Sequence, residues 1–468
     1  MVLLWLRSKL SKIEICNYNF LRFNFYVGFI YKINMSQMNV EIVPSNVTAN
    51  GSISFKDGNP VIQFIIGEQD RMLLGQSVRF TGKFRTLFSN ASSSTSAVGN
   101  LAMSEKLGVY SCIDTLTIKS QRTGQTIESI RHYNRFLASY LPAINSAEDN
   151  ITHLYDQALI LPSYAAQQES VVNIPSSSST QNHFCMSLPC GLLNGGEPIP
   201  LLPEAVGGLL IELHLSPDSQ VFHTSGDADQ NTLNDSLYEF SDVSLVAELG
   251  EPDAATLQQL KSQQSGTYEY NSLSSYYQTI NSANGIINFQ LGLSRVLGVF
   301  SNIIPAAHIN NLQFDGLATL YPTNTGGDSA DIKELFFTRN GSKFPIDFNI
   351  NTLQQTDAKN KTVDSQIMYN YLDAITKFAD ITRTSVGPVN SRYSDDARFD
   401  KDFADGGCAF GVGCAFDSIS DQGVDFKNVN FGINMSLDLT TDSPQAFFVF
   451  VHAKQTLVFG PQGMQVLA

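Results

Sequence analysis

The run from Leu209 to Leu215 alternates: Leu209, Ile211, Leu213 and Leu215 fall on one side, and Leu210, Glu212 and His214 on the other. A period of two is that of a strand with one face buried. It closes the stretch 184–216, FCMSLPCGLLNGGEPIPLLPEAVGGLLIELHLS, and a second apolar run, YEFSDVSLVAEL at 238–249, follows a polar loop. Near the C-terminus the same order returns as FGINMSLDL (431–439), a short polar loop and AFFVFVHAKQTLVFG (446–460). A chain that writes this ending twice is constrained to a fold that contains it twice.

The segments ahead of the two endings repeat as well. From Asn39 to about Ile118 short apolar runs (VEIVPS, SISF, PVIQFIIG, SVRFTGKFRTLF, VYSCIDTLTI) are punctuated by Gly, Asn, Asp and Ser, with a low-complexity loop SNASSSTS at 89–96. The period then becomes helical: Ile127, Ile130, Tyr133, Leu137 and Leu141 share one face, Thr126 is placed to cap and Pro142 to stop the helix. A long excursion, 143–183, precedes the first ending. In the second half, strands are expected over 286–304 and 309–321, and a hairpin over 335–350 turns at Asn340-Gly341. A helix then follows through Val363, Ile367, Tyr371, Ile375 and Phe378, with Thr362 as cap. A Gly-rich acidic excursion, 395–413, leads to the second ending. Leu137 and Tyr371, Gly208 and Gly432, and Tyr238 and Phe447 therefore hold corresponding places, in order rather than in residue identity.

At 468 residues the chain exceeds one ordinary core, and two domains of roughly 200 residues are expected. Abundant Phe (31) and Tyr (17), with 16% charged residues, suit many short strands joined by turns rather than long helices. The fold class expected is all-β: two tandem eight-stranded barrels, each with a short inserted helix. The first occupies 39–250 and the second 281–468. A polar, Gln-rich connector at 251–280 lies between them, with a short helical pattern at Leu257 and Leu260. Residues 1–38 are expected to lie outside the fold, as a mistaken extension ahead of a start at Met35 or Met38 or as a disordered arm. The first 34 residues hold Arg7, Lys9, Lys12, Arg22 and Lys32 but only Glu14 among acidic residues, and these charges break the apolar runs that a signal peptide or a membrane span needs.

The net charge of −15 becomes more negative once that segment is set aside, which argues against direct binding to nucleic acid, where clustered Lys and Arg replace phosphate counterions. Cys16, Cys112, Cys185, Cys190, Cys408 and Cys414 lack the spacing of a zinc knuckle and are expected as free thiols in a reducing compartment. The N-x-S/T triplets at Asn46, Asn50, Asn90, Asn150, Asn234, Asn340, Asn360 and Asn434 are read as composition, since no convincing secretion signal accompanies them.

Candidate sites are few, and for each the bland reading is preferred. His132, His153, His183, His214, His223, His308 and His452 are dispersed, and the G-x-S-x-G, HExxH and phosphate-loop motifs are absent, as is the H-x-H pair of a tandem cupin. Asp227, Asp229, Asn231 and Asp235 echo a calcium loop, but Thr232 stands where Gly is required and Tyr238 where Glu is required, so a solvated loop is favoured. The run Asp395, Asp396, Arg398, Asp400, Lys401, Asp402 and Asp405 reads as an exposed loop of mixed charge. Gly406, Gly407, Gly411 and Gly413 around Cys408 and Cys414 read as a flexible turn rather than a phosphate cradle. Glu212 and His214 are expected on the outer face of their strand. No catalytic, metal or cofactor residue is assigned.

The stretch 184–216 followed by YEFSDVSLVAEL resembles the end of the first jelly roll in double jelly-roll major capsid proteins of the polinton-like virus and virophage type. TRNGSKFPIDFNI (338–350), the helix MYNYLDAI (368–375) and GVDFKNVNFGINMSLDLT with FFVFVHAKQTLVFG resemble the matching part of the second. The resemblance spans most of 40–468. It implies a structural, non-enzymatic capsid subunit located in the virion and assembled inside the host cell. By the same resemblance, three chains form a homotrimer with a pseudo-hexagonal outline, and trimers tile an icosahedral shell. Neighbouring capsomers, penton and minor capsid proteins are the implied partners; no sequence-specific nucleic acid contact is implied, and glycan or host-surface contact is left to the loops. The alternative is a non-viral carbohydrate-binding or adhesive β-sandwich protein.

Overall fold

A computed structural model of the chain describes residues 36–467, apart from 49–50, 57–59, 87–100, 104–106, 145–181 (Ala158 excepted), 196, 225–237, 263–264, 282–283, 312–329 (Leu317 excepted), 346–349, 352–360, 380–411, 417–422, 440–443 and 461–462. Eight principal strands form in the first half: β1 (Ser36–Ile42), β2 (Val61–Ile66), β3 (Met72–Thr86), β4 (Ile113–Ser120), β5 (Thr126–Arg131), β6 (Asn182–Ser187), β7 (Leu209–Leu215) and β8 (Tyr238–Glu251). Eight form in the second: β9 (Gly266–Ile280), β10 (Asn284–Gln290), β11 (Val296–Pro305), β12 (Ala330–Arg339), β13 (Ser342–Lys343), β14 (Val412–Ala415), β15 (Asn430–Leu439) and β16 (Gln445–Gly460).

In the first half they pair antiparallel in the orders β1-β8-β3-β6 and β2-β7-β4-β5; in the second, in the orders β9-β16-β11-β14 and β10-β15-β12-β13. Each strand of the second half thus holds the place of the strand eight earlier. Short pairings are added at the margins, among them Ser52–Ile53 on β8, Ile199–Pro200 on β3, Ile350–Asn351 on β12 and Gly463–Leu467 on β16. A last strand that returns beside the first, with a second four-stranded sheet built from the strands between, is the jelly-roll topology. The chain is all-β, with two jelly rolls in tandem.

The alternating run at 209–215 shows how the register is set. Ile211 lies opposite Phe64 on β2 and Ile118 on β4, and Leu213 opposite Ile62 and Leu116. All of these side chains are fully buried, so a one-residue slip would carry the whole apolar set to the other face. β15 holds the same position, between β10 and β12, with Phe431 and Ile433 buried. The hairpin at Asn340-Gly341 turns where expected: both residues have positive φ, +49° and +78°, as a two-residue turn of this kind requires.

Two expectations change, and a third falls largely outside the described residues. The helical face begun at Ile127 is a strand over 126–131, and the helix α1 starts only at Tyr133 and runs to Ile144, past Pro142. A register shift in the β4–β5 ladder leaves Ile127 without a partner, so Ile127 and Ile130 are both buried although three residues apart, which imitates helical spacing. His132, at φ +56°, breaks the strand, and its carbonyl accepts from Arg135 and Phe136 N–H to begin the helix. The stretch 251–280, expected as a polar connector with a short helical pattern at Leu257 and Leu260, carries that helix at Ala254–Ser262 but then enters β9, which pairs with β16 from Gly266 opposite Phe459 to Ile280 opposite Gln445. The strand expected over 309–321 lies outside the described residues save Ile309–Asn311, which form no strand, and Leu317.

The second long helix, labelled α4 (α2 being the single turn Gly191–Asn194 and α3 Ala254–Ser262), spans Lys361–Ala379. It carries Tyr371, Ile375 and Phe378 into the core; Val363 and Ile367 belong to the same helix, but their side chains lie outside the described residues. Both long helices leave the same corner of their jelly rolls, α1 after β5 and α4 after β13.

Candidate functional site: the seam between the jelly rolls

Among the described residues, those weighed for chemistry do not converge. The calcium-like set Asp227, Asp229, Asn231 and Asp235, the acidic run 395–405, and Gly406, Gly407, Cys408 and Gly411 lie outside the described residues. Gly413 and Cys414 are in β14, with Cys414 buried. Cys112, Cys190 and Cys414 are buried and Cys185 is exposed. Glu212 sits on the face of β7 opposite Ile211 yet is buried, bonded to Lys119 at 2.6 Å and Gln63 at 3.0 Å across its two neighbouring strands. It serves the sheet, as a cross-strand ion pair. His214, on the same face, is half-buried. Among the described residues no group of three or more His, Cys, Asp or Glu could hold a metal, and no helix is long and apolar enough to cross a membrane.

What the structure does bring together is the seam. Helix α1 of the first half packs on the second: the Phe136 ring lies 6.2 Å from Phe300 of β11, 5.9 Å from Phe450 of β16 and 5.6 Å, edge to face, from Phe378 of α4. Phe378 also meets Tyr140 at 5.9 Å and His452 at 5.1 Å. The Arg135 guanidinium, 1% exposed, lies over the Phe448 ring at 4.2 Å, a cation–π contact made in the absence of water. Edge-to-face rings and buried cation–π pairs prefer one geometry, so they fix orientation as well as adding stability.

A polar knot stands inside this aromatic layer. Asn302 of β11, fully buried, donates to the Arg135 carbonyl at 2.6 Å, and its side-chain oxygen accepts from Ser139 and, at 3.3 Å, from the Tyr371 hydroxyl. One amide thus ties α1, β11 and α4. Farther along the seam β9 lies beside β5: Tyr270 donates to the Ile127 carbonyl at 2.8 Å, and Arg131 N–H donates to Ser275 Oγ at 3.0 Å. Tyr268 donates to the Glu197 carbonyl at 2.9 Å. Where α2 meets β9 the backbones nearly touch, since a Cβ on Gly191 would stand 1.6 Å from the Asn271 carbonyl oxygen. Only glycine fits there. At the outer end the His132 ring packs 4.9 Å from Phe448 and 5.8 Å from Tyr277. Burial lowers the His132 pKa, against the opposing pull of Asp114.

A single apolar core runs through both halves, from Phe64 and Phe80 to Phe431 and Val449. The seam is built like an interior, buried and packed ring against ring, and the two jelly rolls therefore hold one relative orientation. Of its residues only His132 and His452 figure among the sequence candidates, as members of a dispersed set; Arg135, Ser139 and Asn302 do not. The signals were polar residues that interrupt apolar runs: Ser139 in FLASYL and Asn302 in VFSNII.

Two solved structures share this architecture. The PBCV-1 virus capsid structure aligns over 95% of this chain and 99% of its own, with a TM-score of 0.53 at 11% identity. The Faustovirus major capsid protein aligns over 93% of this chain and 92% of its own, with a TM-score of 0.54 at 9% identity. No protein-family model matches the sequence, and no curated protein does. At such identities the likeness is one of fold, and it covers nearly the whole chain: the double jelly roll.

Proposed function

We propose that the chain is a major capsid protein, a structural subunit of a virion shell rather than an enzyme. The observation that carries this reading is the strand-for-strand equivalence of two jelly rolls held at one orientation by a dry, aromatic seam. Such a chain is a rigid pair of like units. Three copies around an axis present six units, so a threefold object fills a hexagonal place, and side-to-side contacts between such objects extend into a closed shell. The fold likeness to the PBCV-1 and Faustovirus capsid proteins supports the same reading. Penton and minor capsid proteins, glycan or host-surface contact through loops, and tiling on an icosahedral lattice belong to the proposal. So does the division of the chain: residues 1–38 outside the main body apart from β1, a first unit closing at Glu251, and a second opening at Gly266.

The acidic composition fits a wall that encloses nucleic acid without gripping its phosphates. Sedimentation velocity on the purified full chain, with negative-stain imaging, tests the reading. Stable trimers of pseudo-hexagonal outline are expected; a monomer that binds glycans and never assembles would overturn it in favour of an adhesive β-sandwich protein.

A further inference from the structure

The two jelly rolls differ at one pair of equivalent sheet edges. β9, the first strand of the second jelly roll, ends its sheet, yet its outer edge is covered. Glu128 of β5 accepts from the Leu273 N–H at 3.0 Å, Ser275 Oγ accepts from the Arg131 N–H at 3.0 Å, and the Tyr268 and Tyr270 hydroxyls reach carbonyls of the first jelly roll. Tyr270 and Leu273 are buried there. β1 holds the same place in the first jelly roll, and among the described residues its only strand partner is β8. Gln37, Asn39 and Glu41 are exposed on it. So are two large apolar side chains, Met38 at 39% and, just beyond the strand, Val43 at 68%. A seven-residue edge without cover is a template for pairing with another chain. The element that would cover it is also without a partner strand on its outer side. β5, which lies against β9, corresponds to β13 in the second jelly roll, and among the described residues β13 pairs with β12 alone, with Ser342 exposed. Lys343 of β13, held over the Phe336 ring at 4.8 Å, offers a cation where β1 offers Glu41.

We propose that the β12–β13 corner of one chain covers the β1 edge of a second copy, repeating between chains the contact that β5 makes with β9 within one. The placement that sets the first jelly roll against the second, applied once more, sets the second against the first jelly roll of the next chain. The two surfaces differ, so the contact is heterologous, and such contacts either close into a ring or run on as a filament. Here three chains close it. The contact rests on the three-chain reading above and names the two surfaces through which the chains meet. It differs in character from the seam. Beside β1, the outer face of β3 and β8 carries the ion pairs Lys83–Asp242 and Arg85–Glu239, where the equivalent β11 and β16 carry Phe300, Phe448 and Phe450. Ion pairs in contact with water hold less firmly than buried rings. The chains therefore meet through a polar, separable joint, whereas the two jelly rolls of one chain do not part.

The test places Asn39→Cys and Ser342→Cys, both at exposed positions, in the full chain, singly and together. Each variant is treated with a short bismaleimide and run on a denaturing gel, with sedimentation velocity on the same untreated samples. The double variant is expected to give covalent dimers and trimers in a ladder that stops at three, and the single variants to stay at the background set by the wild-type thiols. Trimers in sedimentation without joined species above that background would overturn the proposal and leave the three-chain reading standing. Monomers in sedimentation would overturn both, and a ladder that continues past three would overturn the closed ring. Should the double variant fail to fold, the wild-type chain decides: isotope-labelled and unlabelled chains are mixed, dissociated, reassembled and treated with a carbodiimide. A link of mixed isotope between peptides covering 36–42 and 340–345 supports the contact, and a trimer that yields no such link overturns it.

Discussion

Replacing Phe136 by Ala puts the rigidity of the seam to a quantitative test. The ring is fully buried and is packed among Tyr133, Tyr140, Phe300, Phe378 and Phe450, with centroids between 5.1 and 6.2 Å away. Three of these neighbours belong to the other jelly roll, so the cavity left behind has walls from both and cannot close by the collapse of one. A core Phe→Ala change of this kind costs about 3–5 kcal/mol. With an unfolding entropy of about 2.1 cal/mol/K per residue, Tm falls by about 3–5 °C if both jelly rolls melt as one unit, and by about twice as much if the damaged half melts alone. Differential scanning calorimetry on the full chain reads this directly. The common core predicts a single transition that stays single and moves by the smaller amount. Two transitions of which one stays in place, or a shift below about 1 °C, would refute the claim that the seam is an interior.

Two further substitutions probe the same surface. Gly191→Ala forces a methyl into the Asn271 carbonyl, backbone against backbone; a loss of about 1–3 kcal/mol by denaturant midpoint is expected, with faster exchange at the Leu273 amide. Asn302→Ala strips the Arg135 carbonyl, Ser139 hydroxyl and Tyr371 hydroxyl of their shared partner in a dry site, and a loss of about 2–4 kcal/mol in the same assay is expected.

Where burial has one face and pairing is regular, the residues speak plainly. The alternation at 209–215 and its counterpart at 431–439 identify strands that occupy equivalent places in equivalent sheets. The Asn340-Gly341 turn and the stripe Tyr371, Ile375, Phe378 are as legible, since turn chemistry and helical period are local signals. β9 was hidden because its residues, GTYEYNSLSSYYQTI, are polar. Tyr268, Tyr270 and Ser275 are spent on bonds to the other jelly roll, and no local pattern separates that use from a solvated connector. The β5–α1 boundary was masked by a bulge that counterfeits a helical interval. The seam itself was out of reach in principle. Asn302 is joined to residues 135 and 139, and Glu128 to residues 191, 192 and 273; no spacing along the chain records such pairings.

Cryo-electron microscopy of the particles formed by the purified full chain tests the central claim most directly, because it sees both the pairing of the jelly rolls within a chain and the packing of chains. Six jelly rolls around a threefold axis are expected, two from each chain, with β1–β8 superposing on β9–β16 and the α1–α4 contact intact. Single chains that do not associate, or jelly rolls that vary in their relative orientation from particle to particle, would contradict it.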